Sequence, residues 1–488
     1  MSTPQPTAIR PPPLTEVQTR ANPYQPILDR QRRALREQGF PDVTRRVAAL
    51  EALARSIGAH ADELVRAVQA DFGHRSPHET IASEVLGALA EIRLTKGKIK
   101  GWAKPKRPPL LSGLPGGRIY YQPKGVVGIM GAWNYPVMLV LSPLIGALAA
   151  GNHVMIKPPD MTPRTAEVLK RMLGEIFDAS YVTVVTGDVQ AAIDFSALPF
   201  DHLMYTGNTE IGRRVMMAAA RNLTPVTLEL GGKSPTVITD DYPLDKAANR
   251  ILLGKGVNAG QTCIAPDYVL ISRHRQQAFL EAWTRAVSQR YPTLADNPDV
   301  TWIINDRHYN RLQAMIEDAR AKGAQVHEIN PAGEAIPESK RVIAPTVITG
   351  VTDDMRVMQE EIFGPILPIR AVDSLNEALD YIMDRPRPLA LYYFDEDRGR
   401  AERVMAETIS GGACVNDTVV HLANFNMPFG GTGDSGAGAY HGFWGFTEFS
   451  HKKSVQFQSK RFSPAQFIRG PYPVKAYGYL QRAVRFLS

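Results

Sequence analysis

The chain holds only two cysteines, Cys263 and Cys414, far apart in the sequence. That count excludes a disulfide framework and any CxxC metal or redox motif. A lone cysteine is ordinarily a small buried hydrophobe, and Cys414 reads that way. Cys263 differs, because it closes the small, polar segment Asn258-Ala259-Gly260-Gln261-Thr262-Cys263 after a predicted helix. A free thiol has a pKa of about 8.5, so only a few per cent is thiolate at neutral pH. A nucleophilic Cys263 therefore needs a lowered pKa or a base beside it. Other signals are weaker. His78-Glu79 opens like a zinc-protease helix, but Ala82 stands where the second histidine belongs. Gly431, Gly433 and Gly436 spell G-x-G-x-x-G. They follow Pro428-Phe429-Gly430 and open no βαβ unit, so the dinucleotide fingerprint lacks its context.

The elements that must position Cys263 follow from periodicity. Val47, Leu50, Leu53 and Ile57, then Ile81, Val85, Leu89 and Ile92, recur at three and four residues. They predict amphipathic helices over about 43–71 and 78–103. Short apolar runs come next, at Val126–Met130, Val154–Ile156, Tyr181–Val185 and Leu203–Tyr205. Predicted helices at 136–150, 162–177, 188–196 and 208–221 alternate with them, which calls for a parallel sheet covered on both faces. The strands run into Gly131-Ala132-Trp133-Asn134, Lys157-Pro158, Gly187 and Thr206-Gly207-Asn208. In open α/β sheets ligands bind beyond such carboxyl ends. The second half repeats the alternation, with helices at about 243–257, 274–290, 305–322, 374–384 and 397–407 and strands near 267–272, 388–394 and 413–416. A strand over Val226–Leu230 followed by Gly231-Gly232 marks a domain boundary.

Five segments, in order, resemble the hallmark motifs of the aldehyde dehydrogenases. They are Trp133-Asn134-Tyr135-Pro136, Leu228-Glu229-Leu230-Gly231-Gly232-Lys233, Gly260-Gln261-Thr262-Cys263, Glu360-Glu361-Ile362-Phe363-Gly364-Pro365 and Pro428-Phe429-Gly430-Gly431. The resemblance runs from about residue 30 to 460. Met204–Thr209, Cys263–Tyr268 and Ser435–Gly442 look like the class 3 branch. That branch is typically dimeric and acts on aromatic and medium-chain aldehydes. The helical N-terminal region further resembles bacterial coniferyl-aldehyde dehydrogenases.

The resemblance implies an α/β architecture: a Rossmann-type cofactor domain, an α/β catalytic domain and a small oligomerisation element. The expected division is a flexible tail over 1–24, the NAD(P)-binding domain over 25–230, the catalytic domain over 231–428, and a returning and oligomerising segment over 429–488. The stretch Arg118–Val127 is expected to form a hairpin-like bridge between subunits of a homodimer. The implied reaction oxidises an aldehyde to the acid. Cys263 attacks, Asn134 and the Cys263 N–H hold the oxyanion, and Glu229 activates the water that releases the thioester. For the cofactor, Trp133, Lys157, Gly187, Gly207, Asn208, Glu361 and Phe363 are the implied contacts. Most relatives place Glu three residues after the lysine, where this chain has Asp160. A carboxylate near the ribose 2′-OH favours NAD, and the shorter arm leaves room for NADP. Tyr135, Met138, His421 and Phe425 are candidates for the aldehyde pocket. Rival readings are a CoA-acylating or acyl-phosphate-linked relative, against which Glu229 speaks, and a non-catalytic binding protein.

Composition agrees with a globular enzyme, at 44% hydrophobic and 22% charged residues. The net charge of +7 is scattered, with no aromatic-interleaved basic stripe for nucleic acid. Pro136–Ala150 is too short and broken for a membrane span. No signal pattern opens the chain, so a cytoplasmic location is expected.

Overall fold

The computed structural model describes residues 21–109, 116–458, 460, 470–472 and 476–488. The tail expected over 1–24 lies, up to residue 20, outside the described residues. Fifteen strands occur among them. They are β1 (Gly117–Pro123), β2 (Val126–Met130), β3 (His153–Lys157), β4 (Val182–Val184), β5 (His202–Thr206), β6 (Val226–Glu229) and β7 (Pro235–Ile238). There follow β8 (Tyr268–Ser272), β9 (Gln325–Glu328), β10 (Thr346–Thr349), β11 (Ile366–Val372) and β12 (Ala390–Phe394). The last three are β13 (Gly412–Val415), β14 (Gly436–Ala437) and β15 (Ser450–Gln456).

Two large sheets carry the fold. One has six strands in the order β14-β6-β5-β2-β3-β4, the other seven in the order β13-β12-β7-β8-β11-β10-β9. All pairs between β2 and β6 are parallel, and β2, β3 and β5 are buried at every position. That is why these strands read as unbroken apolar runs rather than alternating ones. The chain leaves the first sheet after β6 and enters the second at β7, and β14 later returns to pair antiparallel with β6. The helix Met138–Ala150 is buried along its whole length, between the first sheet and the helix Leu86–Trp102. Each fully buried Leu, Ile or Val there stabilises the fold by about 1.5–3 kcal/mol.

Several expectations need correction. The helix expected over 43–71 is two, Val43–Ala59 and Ala61–Phe72, broken at His60. Gly58, a poor helix former, stands just before the break. The one expected over 78–103 runs Pro77–Trp102 but contains a π-turn at Ile81–Val85. An unforeseen helix, Gln25–Gln38, carries few apolar residues and docks by Leu28, Ala34 and Gln31, whose Nε2 donates to the Val154 carbonyl at 2.9 Å. Strands β7, β9, β10 and β11 were also unforeseen. The hairpin expected over Arg118–Val127 does not form. β2 already has β3 and β5 on its two edges, so β1 pairs antiparallel with β15, from Gly117↔Gln456 to Pro123↔Ser450. Cys414 is half-buried on the edge strand β13 rather than buried. The helix Ala476–Leu487 exposes Tyr477, Tyr479, Leu480, Val484, Phe486 and Leu487. No described helix is long and apolar enough to cross a membrane.

Candidate active site

The loop before Cys263 is built on a left-handed turn. Asn258, Ala259 and Gly260 have successive φ values of 53°, 51° and 71°. This conformation costs roughly 1–2 kcal/mol per non-glycine residue. At Gly260 a side chain would also collide, since a Cβ would lie 2.5 Å from the Gly364 carbonyl oxygen. Hydrogen bonds hold the turn in place. Asn258 Nδ2 donates to the carbonyls of Asn134 and Gln261, both at 3.0 Å. Gln261 Nε2 donates to Asn258 O at 3.0 Å and Trp302 O at 3.1 Å, and its Oε1 accepts from Ile304 N at 3.0 Å. Strain over-determined in this way is typical of functional loops. Cys263 emerges from it half-buried. Burial pushes its thiol well above the ordinary value, the Glu229 and Glu361 carboxylates push further, and the N–H groups of Cys263 and Ile264 pull the other way.

Glu229 ends β6 and is 1% exposed. Its Oε1 has no hydrogen-bond partner, and burial pushes its carboxyl well above the usual carboxylate range. Such a carboxyl is suited to accept a proton, since an apolar surround disfavours its charged form. Asn134, 3% exposed, lies between β2 and the helix Met138–Ala150, and its Nδ2 donates to the Gln261 carbonyl at 3.1 Å. The Asn134 and Cys263 loops are therefore locked side by side. Tyr135 adds a second clasp, its hydroxyl 2.9 Å from Thr262 Oγ1.

An ion pair between half-buried Lys233 and buried Asp267 joins the remaining motifs. Lys233 Nζ lies 2.5 Å from Asp267 Oδ1 and donates to the carbonyls of Val357 at 2.8 Å and Glu360 at 2.9 Å. Asp267 Oδ2 accepts from Ile362 N at 3.0 Å. This fixes the loop carrying Glu361, whose carboxylate lies directly over Gly231: a Cβ there would come within 2.4 Å of it. Glu361 is pushed up to about 8 by burial and by Asp267, and its Oε1 has no partner. Phe363, at φ 52°, turns its ring edge-on to Trp133 with centroids 5.3 Å apart, and His308 lies 5.1 Å from Trp133 on the same wall.

The remaining cofactor candidates line the carboxyl edge of the first sheet. Lys157, 3% exposed, ends β3; burial lowers its pKa, and Asp160 and Asp188 oppose that. Asp160 is exposed beside it. Gly187 precedes the helix Val189–Ser196. Gly207 N donates to the Glu229 carbonyl at 3.0 Å, and Asn208 caps the helix Thr209–Ala220 by accepting from Glu210 N at 2.8 Å. A helix N-terminus, a buried ammonium and a carboxylate with an unpaired oxygen beside an aromatic wall suit the phosphates, riboses and ring of a dinucleotide. Of the pocket candidates, Tyr135 adjoins the Cys263 loop and Met138 is buried at its helix start. His421 and Phe425 belong to an aromatic group around Phe429 and His441, at centroid distances of 5.1–6.3 Å.

The model of the aldehyde dehydrogenase family matches residues 20–455. The chain belongs to that family. A probable coniferyl aldehyde dehydrogenase of Pseudomonas aeruginosa is 47% identical over 94% of this chain and 96% of its own length. The substrate-bound AldH of Staphylococcus aureus superposes with a TM-score of 0.88 at 37% identity, over 96% of this chain and 100% of that one. A Mycobacterium tuberculosis aldehyde dehydrogenase solved with NAD+ does so at 0.80 and 26% identity, over 89% and 90%. This aldehyde dehydrogenase is thus an NAD(P)-dependent oxidoreductase with a Rossmann-type cofactor sheet.

Part of this site lies outside every motif. Glu79 and Glu84 come from the N-terminal helices, and Arg75 from the loop just before them. Glu79 Oε2 accepts from Asn258 N at 3.1 Å and from Thr301 Oγ1 at 2.8 Å. A signal for Glu84 was present: it sits on the apolar stripe of Ile81, Val85 and Ile92, where a carboxylate has no solvation reason to be. Lys255 in the aldehyde dehydrogenase is likewise buried, and burial lowers its amine to about 8.

Proposed function

We propose that Cys263 attacks the aldehyde carbon, with Asn134 and the Cys263 N–H receiving the developing oxyanion, and that Glu229 activates water for hydrolysis of the resulting thioester. The observation carrying this is the buried Glu229 carboxyl with an unpartnered oxygen, close enough to Cys263 to raise its thiol. Lys157, Gly187, Gly207, Asn208, Glu361, Phe363 and Trp133 would hold the dinucleotide. When bound, it supplies the acceptor for the hydride that the Cys263 adduct loses. A hydrolytic carboxyl at this depth favours water over CoA or phosphate as the final acceptor.

The substrate class we infer is a bulky aromatic aldehyde such as coniferaldehyde, or a medium-chain aliphatic one. The naming of the Pseudomonas relative and the aromatic group around His421, Phe425 and Phe429 support it. Steady-state rates on coniferaldehyde, benzaldehyde and C4–C12 alkanals should give kcat/KM at least about tenfold above acetaldehyde, since each buried methylene adds transition-state binding. A preference for acetaldehyde or a charged semialdehyde overturns the assignment.

NAD is the proposed preferred cofactor, with measurable NADP turnover. Asp160, exposed beside Lys157, supports a carboxylate facing the ribose. Asp160→Ala should raise the NADP/NAD ratio of kcat/KM by about tenfold, as expected when a carboxylate no longer repels the 2′-phosphate. An unchanged ratio means Asp160 does not face the ribose. We further propose a homodimer in which the β1–β15 ribbon takes part.

A further inference from the structure

Arg75 and Glu84 lie outside every motif, and of the groups assigned above they touch only those between Asn134 and Met138. Both side chains are 0% exposed, with Arg75 Nη1 2.9 Å from Glu84 Oε1. Arg75 Nη1 also donates to the Asn134 carbonyl at 3.0 Å. Glu84 Oε2 accepts from the main-chain N–H of Val137 at 2.7 Å and Met138 at 3.2 Å, groups a helix start leaves free. The guanidinium stands 4.8 Å from the Tyr135 ring centroid and 5.1 Å from that of Phe72. Four of the five residues from Asn134 to Met138 are thus held by one ion pair. Glu84 reaches them from the π-turn at Ile81–Val85, a distortion that recurs at functional sites.

Stability alone does not account for the pair. Arg75 Nε and Nη2 are buried without partners. A buried ion pair left partly unsatisfied is often no better than apolar residues of similar volume. What the pair does fix is the backbone of Asn134. Its carbonyl accepts from both Arg75 and Asn258, and its side-chain Nδ2 spends one hydrogen on the Gln261 carbonyl. The second amide hydrogen is left for a substrate oxygen.

We propose that Arg75 and Glu84 are positioning residues that set the aim of the Asn134 amide at the reacting oxygen. The proposal rests on the oxyanion reading of Asn134. A misplacement of about 1 Å in such a donor can cost on the order of 10²-fold in rate.

The test is a double-mutant cycle read by the rate of the NADH burst with benzaldehyde and NAD, per titrated Cys263 thiol. Arg75→Lys keeps the charge but loses the planar fork. Alone, it should slow the burst about tenfold or more while the KM for NAD stays within about twofold. In an Asn134→Ala background the same change should cost less than about twofold, because the donor it positions is gone. A merely structural role would reduce the rate equally in both backgrounds, and that result overturns the proposal, as does an unchanged burst from Arg75→Lys alone. If Asn134→Ala itself leaves the burst rate intact, the oxyanion reading falls instead. Should Arg75→Lys fail to fold, Arg75→Met with Glu84→Leu replaces the pair by apolar volume, and the same comparison in the two backgrounds decides.

Discussion

Cys263→Ala is expected to abolish both the NADH burst and steady turnover, a loss of about 10⁴-fold or more, because no second nucleophile can start the reaction. Cys414→Ala is the matched control and should leave both phases intact. Cys414 sits on β13 at the edge of the second sheet, with its thiol pushed up to about 11 by burial. Rapid mixing with NAD and benzaldehyde separates the two outcomes. A burst surviving in Cys263→Ala would remove this residue from covalent chemistry altogether.

Glu229→Gln should divide the reaction in two. One equivalent of NADH forms per site as the thioester accumulates, and the following steady rate falls by about 10²–10⁴-fold, the usual worth of a positioned base. The pH dependence supplies a second reading. Glu229 is raised by burial, so its basic form appears only as pH climbs through that raised value, and wild-type deacylation should rise with pH over the same range. Cys263 is raised partly by Glu229 itself. Removing that negative charge stabilises the thiolate, so the burst of Glu229→Gln should persist to lower pH than that of the wild type. Loss of the burst would instead place Glu229 earlier, as the acceptor of the thiol proton. An unaffected steady rate would exclude it from deacylation.

What could be read in the sequence tracks where the physics is local. Strand runs such as Val126–Met130 and Leu203–Tyr205 announced themselves because both faces are buried, and loops at their carboxyl ends followed directly. Cys263, Glu229 and Glu361 sat in motifs, and the structure brings them close enough for both carboxylates to raise the thiol. Partners chosen over long distances left no such trace. β1 and β15 pair across most of the chain, and nothing in Arg118–Val127 told against a local hairpin. The helix Gln25–Gln38 buries only Leu28, Gln31 and Ala34, too few apolar positions for periodicity to register. Arg75 and Glu84 owe their role to a neighbour that only the fold supplies.

The return of the chain to its first sheet has a consequence for how the molecule is made. β6, which carries Glu229, gains its outer neighbour only when residues 436–437 arrive. The helix Gly442–Glu448 then covers Met138–Ala150, and the Phe449 carbonyl accepts from Asn152 Nδ2 at 2.9 Å. During synthesis, therefore, the cofactor sheet waits with an open edge, and the apolar helix Met138–Ala150 with one face uncovered, while the whole second sheet is being translated. Unpaired edges and exposed apolar faces are what associate wrongly before folding is complete. The nascent chain is consequently most vulnerable after its nucleotide-binding half has emerged and before its last strands have, and truncation in the 430s should yield aggregates rather than a folded half-enzyme.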